Sequence, residues 1–160
     1  MAKYHLDQID QKILSSLVKN ARMPFLEIAR ECGVSGAAIH QRVKRLEANG
    51  VITGSRLLVK PQALGLNVCA FISISLSESG KYQDVISYLK KIPEIVECHY
   101  TTGGFDMFIK IYALNNHHLL SIIHDKLQPL GLSRSETIIS FHAAFNRQLP
   151  VVDIPIDGEE

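Results

Sequence analysis

The feature that most narrows the fold is a change of hydrophobic period near residue 51. Before it, apolar residues recur every three or four positions; after it they recur every two, with two helical interruptions. A chain that switches period in this way is neither a plain helical bundle nor a plain sheet. Its 160 residues are enough for two small domains. No run approaches the ~20 apolar residues of a membrane span, and the opening MAKYHLDQID has no secretory apolar core, so a soluble, cytoplasmic protein is expected. Cys32, Cys69 and Cys98 have neither paired numbers nor CxxC spacing, and are expected to be small buried apolar residues.

In the first part, Leu6, Ile9, Ile13 and Leu17 form one helical stripe, with Asp7 able to cap it and Asp10 suited to the positive end of the helix dipole. A shorter helix spans Phe25 to Cys32 with Ile28 and Ala29 inward, stopped by Gly33. Ser35 is placed to cap a third helix from about Gly36 to Asn49, ended by Gly50.

The third helix has the polarity of a helix that enters a DNA groove. At about 100° per residue, Ile39, Val43 and Leu46 lie within about 60° of one another and form a buried stripe. Opposite fall Ala37, Gln41 and Lys44, flanked by His40 on one side and by Ala38 and Arg45 on the other. Small residues near the N-terminus let a helix into the major groove. Gln41 can pair with an adenine edge, and Lys44 and Arg45 can reach guanine or phosphate. Ser35 can donate to a phosphate, and Arg22 is a second phosphate candidate. Arg42 lies about 60° from the stripe, where it snorkels along the fold or grips a phosphate. For any one of these residues the plain alternative is a solvated basic helix face. Charge supports the nucleic-acid interpretation: residues 1–60 carry ten Lys/Arg against five Asp/Glu, and the remainder carries seven against eleven.

From Val51 to Lys60 the chain reads as extended, and Pro61 and Gly65 mark a linker. Val68 to Ser77 alternates, with Val68, Ala70, Ile72, Ile74 and Leu76 on one face. Lys81 to Ile92 is helical and closed by Pro93. Ile95–Thr101 and Phe105–Ala113 are alternating runs joined by Thr102-Gly103-Gly104 as a hairpin. Asn115 or Asn116 caps a helix carrying Leu119, Ile122, Ile123 and Leu127. Thr137, Ile139, Phe141, Ala143 and Phe145 predict a last strand. The order β-α-β-β-α-β is the ferredoxin-like arrangement.

The stretches LDQIDQKILSSL and ARMPFLEIARECGVSGAAIHQRVKRLEANGVITG, above all RVKRLEANGVI, resemble the DNA-binding domain of the Lrp/AsnC (feast/famine) regulators, and ECHYTTGGFDMFIKI is similar to that family's Gly-x-x-Asp hairpin. The resemblance implies an α+β protein: a three-helix winged helix-turn-helix over 1–53, an extended linker over 54–66, and a ferredoxin-like (RAM-type) effector-binding and dimerisation domain over 67–147. An acidic tail, 148–160, follows. It also implies a transcriptional regulator, not an enzyme, binding a palindromic double-stranded operator as a homodimer that assembles to octamers. No cofactor is expected beyond an amino-acid effector. Pro24 stands where the family usually has a capping Ser or Thr, so the second helix is expected to rely on Pro in its first turn.

The hairpin has chemistry of its own. Backbone N–H groups around Gly103 and Gly104 can meet a carboxylate, Thr101 and Thr102 add hydroxyls, and Asp106 can hold an α-ammonium group. A tight turn wants the same Gly-Gly, so the alternative is a hairpin without a ligand. Ser135, Glu136, Thr137 and Ser140 on the last strand can contribute further polar groups, unless they are merely its solvent face. His117, His118 and His124 lack metal-pair spacing, and no metal site is expected. Two further alternatives are an architectural DNA-binding protein without effector and a small ferredoxin-like enzyme, for which His99 and Asp106 are a poor catalytic set.

Overall fold

The computed structural model describes residues 4–151. They fall into two compact units, one of residues 4–57 with 145–151 and the other of residues 58–144.

The first unit holds three helices, α1 (Gln8–Lys19), α2 (Phe25–Cys32) and α3 (Gly36–Ala48). Each begins and ends where local chemistry requires. Asp7 and Asp10 make a capping box on α1: Asp7 accepts from the Asp10 N–H at 2.8 Å, and Asp10 accepts from the Asp7 N–H at 3.4 Å. Ser35 caps α3 by accepting from the Ala38 N–H at 3.2 Å. Between α2 and α3 the chain turns at Gly33, whose φ of 68° is left-handed and therefore suits glycine. Pro24 is itself the cap residue of α2 and not part of its first turn, and no side chain bonds the free N–H groups there. Ile13, Ile28, Ile39 and Leu46 are wholly withdrawn from water at the centre of the three-helix core.

The second unit is an antiparallel sheet of four strands in the order β2-β3-β1-β4, comprising β1 (Val68–Leu76), β2 (Ile95–Tyr100), β3 (Met107–Ala113) and β4 (Leu132–Ser140). Helices α4 (Tyr82–Leu89) and α5 (Asn116–Ile122) cover one face. Period-two alternation produces this core directly: Ala70, Ile72 and Ile74 of β1 and Met107, Ile109 and Ile111 of β3 are all fully buried beneath Val85, Leu89, Leu119 and Ile122. The opposite face carries Phe71 stacked on Phe108 (centroids 5.5 Å apart), Tyr112 and Lys110.

Several expected boundaries move. The last strand starts earlier and stops at Ser140, because its partner β1 begins at Val68 and the register Cys69 to Ser140 leaves only that one residue beyond the last pair. Phe141 and Phe145 are accordingly exposed. The linker is not extended throughout: Pro61–Leu64 form a 3-10 turn closed by left-handed Gly65, whereas 52–60 pair with no strand among the described residues. The α4 helix is shorter than Lys81 to Ile92, since a 3-10 turn over Ser79–Lys81 precedes it. A π-turn, Ile123–Leu127, extends α5. Cys98 is exposed, not buried, because β2 is an edge strand; Cys32 and Cys69 are half-buried. Of the acidic tail, residues 152–160 lie outside the described residues, while Val151 packs against the helical core of the first unit.

Replacing Ile109 by Ala, at the centre of the sheet core, is expected to lower stability by about 2–5 kcal/mol. Urea denaturation followed by circular dichroism measures it.

Candidate DNA interface and effector site

On α3 the buried stripe is Ile39, Val43 and Leu46, which leaves Ala37, His40, Gln41 and Lys44 exposed on the far side and Ala38 half-buried beside them. His40 lies against Phe25, with ring centroids 5.7 Å apart, which limits the directions its imidazole can take. Ser35 uses its oxygen as the cap acceptor, so its hydroxyl proton remains free to donate outward. Arg22 is exposed in the turn before α2, where its N–H donates to Asn20 Oδ1 at 3.0 Å. Small residues at the helix start and polar ones a turn later make a face that a major groove accommodates.

Two expected DNA contacts are otherwise engaged. Arg42 does not face solvent freely: its Nη1 donates to Asp7 Oδ2 at 2.6 Å and to Asp10 Oδ1 at 2.8 Å. Arg45 also turns back, with Nη2 3.2 Å from Asp10 Oδ2 and its guanidinium 5.7 Å from the centre of the Tyr4 ring. The reason is positional. Residue 42 is on the side of α3 that meets α1 and residue 45, about one turn on, is at the border of that side, while Asp7 and Asp10 are one turn apart on α1. The hydrogen bond from Arg42 holds Asp7 below its ordinary pKa of 3.8 against the opposing effect of burial, and the bonds to Asp7 and then Asp10 raise Arg42. Sequence reasoning placed Asp10 only as a dipole-favouring residue; it is in fact fully buried and the hub of this group. The matched spacing of the two acids and two arginines was a visible signal, but which helix faces meet is a tertiary property.

In the second unit the β2–β3 hairpin is tied to the end of β1 through Asp106. Its N–H donates to the Ile74 carbonyl at 2.9 Å, its carbonyl accepts from the Thr101 N–H at 2.9 Å, and its Oδ2 accepts from the Leu76 N–H at 2.8 Å. Asp106 therefore anchors the hairpin and is not a free carboxylate, although its other oxygen keeps acceptor capacity. The Thr101 hydroxyl donates to the Phe105 carbonyl at 2.9 Å, while Thr102, Gly103 and Gly104 are exposed at the tip, Gly103 with a left-handed φ of 107°.

The four β4 candidates do not converge. Ser135 and Thr137 pair opposite Ile74 and Ile72 on the helix-covered side, whereas Glu136 and Ser140 lie opposite Ser73 and Cys69 on the other. Ser140 is also five residues from Ser135, about 17 Å along an extended strand. The start of β4 approaches the hairpin through the Arg134 guanidinium, 4.7 Å from the Phe105 ring centre and 3.7 Å from the Glu136 carboxylate. Beside it is a cavity of about 250 Å³ with an apolar floor of Ile72, Ile123, Leu127 and Leu132 and a rim of Gln128, Ser133, Arg134 and Ser135. Arg134 and Phe105 were not singled out from the sequence.

His118 and His124 are engaged by neighbouring groups of the second unit. His118 Nδ1 accepts from the Leu114 N–H at 3.2 Å and its Nε2 is 3.6 Å from Glu94, which also binds Lys126 at 3.1 Å; His124 meets Asp125 at 2.9 Å. Among the described residues no three His, Cys, Asp or Glu side chains cluster as metal ligands. His99 is on the uncovered sheet face, 3.7 Å from Glu97. Among the described residues no helix is long and apolar enough to cross a membrane.

A helix-turn-helix unit followed by a ferredoxin-like unit defines a DNA-binding regulator with a separate second module. Residues 6–47 match the AsnC-type helix-turn-helix domain and residues 69–150 match the Lrp/AsnC ligand binding domain. The chain belongs to the Lrp/AsnC family of transcriptional regulators and is not an enzyme. It is 36% identical over 147 residues to the regulatory protein AsnC of Haemophilus influenzae, covering 91% of this chain and 98% of that one. It is 46% identical over 134 residues to the HTH-type transcriptional regulator FL11 of Pyrococcus furiosus, covering 84% and 88%. The structure of Escherichia coli AsnC superposes with a TM-score of 0.86 at 34% identity, over 92% of this chain and 99% of that one. A Neisseria meningitidis regulator solved as a complex with L-Met shares the fold, with a TM-score of 0.86 at 24% identity over 92% and 97%.

Asp7→Ala removes the α1 cap and one partner of Arg42, and is expected to cost about 1 kcal/mol from the cap alone. Because the folded pKa of Asp7 is depressed, its contribution is complete above its ordinary 3.8 and is lost as the pH falls through the folded value. Urea titrations of wild type and Asp7→Asn at neutral pH and near pH 3 should show a smaller acid loss in the variant.

Proposed function

We propose that this chain binds a roughly palindromic operator as a homodimer, through Gln41 and Lys44 of α3, and that a small amino acid binding beside the Thr101–Asp106 hairpin modulates it. The observation that carries the DNA half is the division of α3 into a buried apolar stripe and an opposite open face of Ala37, Gln41 and Lys44. Ala37 and Ala38 allow close approach, Gln41 offers a bidentate amide, and Lys44, Ser35, His40 and Arg22 supply donors for phosphates and base edges. Arg42 is left out of the contact set because Asp7 and Asp10 occupy it.

Support for dimerisation is the sheet face opposite the helices, where Phe71, Phe108 and Tyr112 are only half-buried within one chain. Pairing two such faces about a two-fold axis buries aromatic surface and presents two recognition helices to half-sites about one DNA turn, ~34 Å, or a multiple apart. Further assembly of dimers to octamers is the step that an effector bound near a subunit boundary would bias.

Support for an amino-acid effector is the match to a ligand binding domain together with the local chemistry. The hairpin N–H groups suit a carboxylate, the second oxygen of Asp106 suits an ammonium group, and the cavity beside β4 offers an apolar floor, with Arg134, 3.7 Å from the Glu136 carboxylate, on its rim. Ser135 borders that cavity; Glu136, Thr137 and Ser140 are not part of the proposed site.

Titrating the full chain onto promoter duplexes with and without each of the twenty amino acids tests both halves. Gln41→Ala is expected to cost about 1–3 kcal/mol of discrimination at one base pair of each half-site. Lys44→Gln should weaken all sequences alike and flatten the slope of log K against log salt by about 0.9 for each phosphate it no longer neutralises. Asp106→Ala should abolish the response to any active amino acid. Sequence-specific binding that no amino acid alters would favour an architectural role instead.

A further inference from the structure

We infer that Asp10 is a positioning residue for DNA binding: its buried carboxylate holds Arg45 back on the protein and so sets how many cations α3 presents to phosphates. This rests on the DNA-binding function proposed above.

Asp10 has no exposed surface, and its oxygens are met from three directions. Arg42 Nη1 approaches Oδ1 at 2.8 Å, Arg45 Nη2 approaches Oδ2 at 3.2 Å and Oδ1 at 3.5 Å, and the Asp7 N–H reaches Oδ2 at 3.4 Å. A carboxylate withdrawn from water keeps its charge only with such partners. The two arginines are not equally dependent on it. Arg42 has Asp7 as a second and closer acceptor, at 2.6 Å, whereas the described ion pairing of Arg45 is with Asp10 alone. Releasing Asp10 therefore releases Arg45 first.

Arg45 also stands at a border. Its side chain is 52% exposed, and it projects from α3 about 120° from the buried stripe, between the α1-facing side of Arg42 and the open face of Lys44. Rotation of its long side chain moves the guanidinium from the α1 side to the groove side. While Asp10 holds it, with the Tyr4 ring 5.7 Å beneath, its charge is already compensated within the protein. A cation neutralised internally displaces few counterions from DNA, so Arg45 adds little to the salt dependence of binding. Lys44, one residue earlier, has no carboxylate pairing among the described residues and carries that role.

The test is the slope of log K against log salt for the full chain on one duplex, with folding checked by circular dichroism. Wild type and Arg45→Gln are expected to share a slope. Asp10→Asn should steepen it by about 0.9, equivalent to one additional neutralised phosphate, and Arg45→Gln added to Asp10→Asn should return it to the wild-type value. A role in stability alone would lower the unfolding midpoint of Asp10→Asn without changing the slope, and that result overturns the inference. Flattening by about 0.9 in the otherwise native Arg45→Gln chain overturns it too, and that single variant decides the matter if Asp10→Asn does not fold. Absence of any salt-dependent binding by the wild-type chain would instead remove the DNA-binding function itself, and the role of Asp10 with it.

Discussion

A carboxylate taken wholly out of water has to be paired, and in this protein that requirement joins the start of α1 to the recognition helix. Asp10 accepts from two arginines of α3 while its neighbour Asp7 caps α1 and shares Arg42. The cap, the ion pairs and the buried stripe of Ile39, Val43 and Leu46 all fix the rotation of α3 about its own axis. That rotation decides which side chains of α3 face outward. Exposed ion pairs are generally worth little; this group differs because its central acid is desolvated and because two helices must be in register to complete it.

The second unit follows a different constraint, the two-residue period of β1. With Ala70, Ile72 and Ile74 buried under the helices, a register slip by one residue would turn Phe71 and Ser73 inward, so the pairing is strongly specified. The hairpin between β2 and β3 is held to this central strand by the backbone and carboxylate of Asp106. One residue thereby closes the turn and fixes the orientation of the exposed glycines at its tip. Part of the hairpin's polar character is accordingly spent on its own architecture.

The two candidate binding surfaces are built in different ways. The proposed DNA face is the open side of α3, and the two arginines beside it are internally paired to Asp7 and Asp10. The candidate effector region combines a pinned hairpin with a small cavity at the start of β4, where Arg134 lies over Phe105. The π-turn Ile123–Leu127 lines the same cavity, and such interruptions of regular helix are frequent at functional sites.

The sequence by itself determined the element order, the caps at Asp7 and Ser35, a cap at Asn115 or Asn116 (it is Asn115), the left-handed turn at Gly33 and the split of α3 into a buried and an open face. These are local properties, set by periodicity and by backbone chemistry within a few residues. Only the tertiary structure decided the rest. Arg42 and Arg45 are turned from the open face of α3 because α1 brings two acids to them, and β4 ends at Ser140 because its partner β1 begins at Val68, one residue beyond their last pair. Each depends on which faces meet across long sequence separations, 35 residues between Asp10 and Arg45, and no local pattern encodes that meeting.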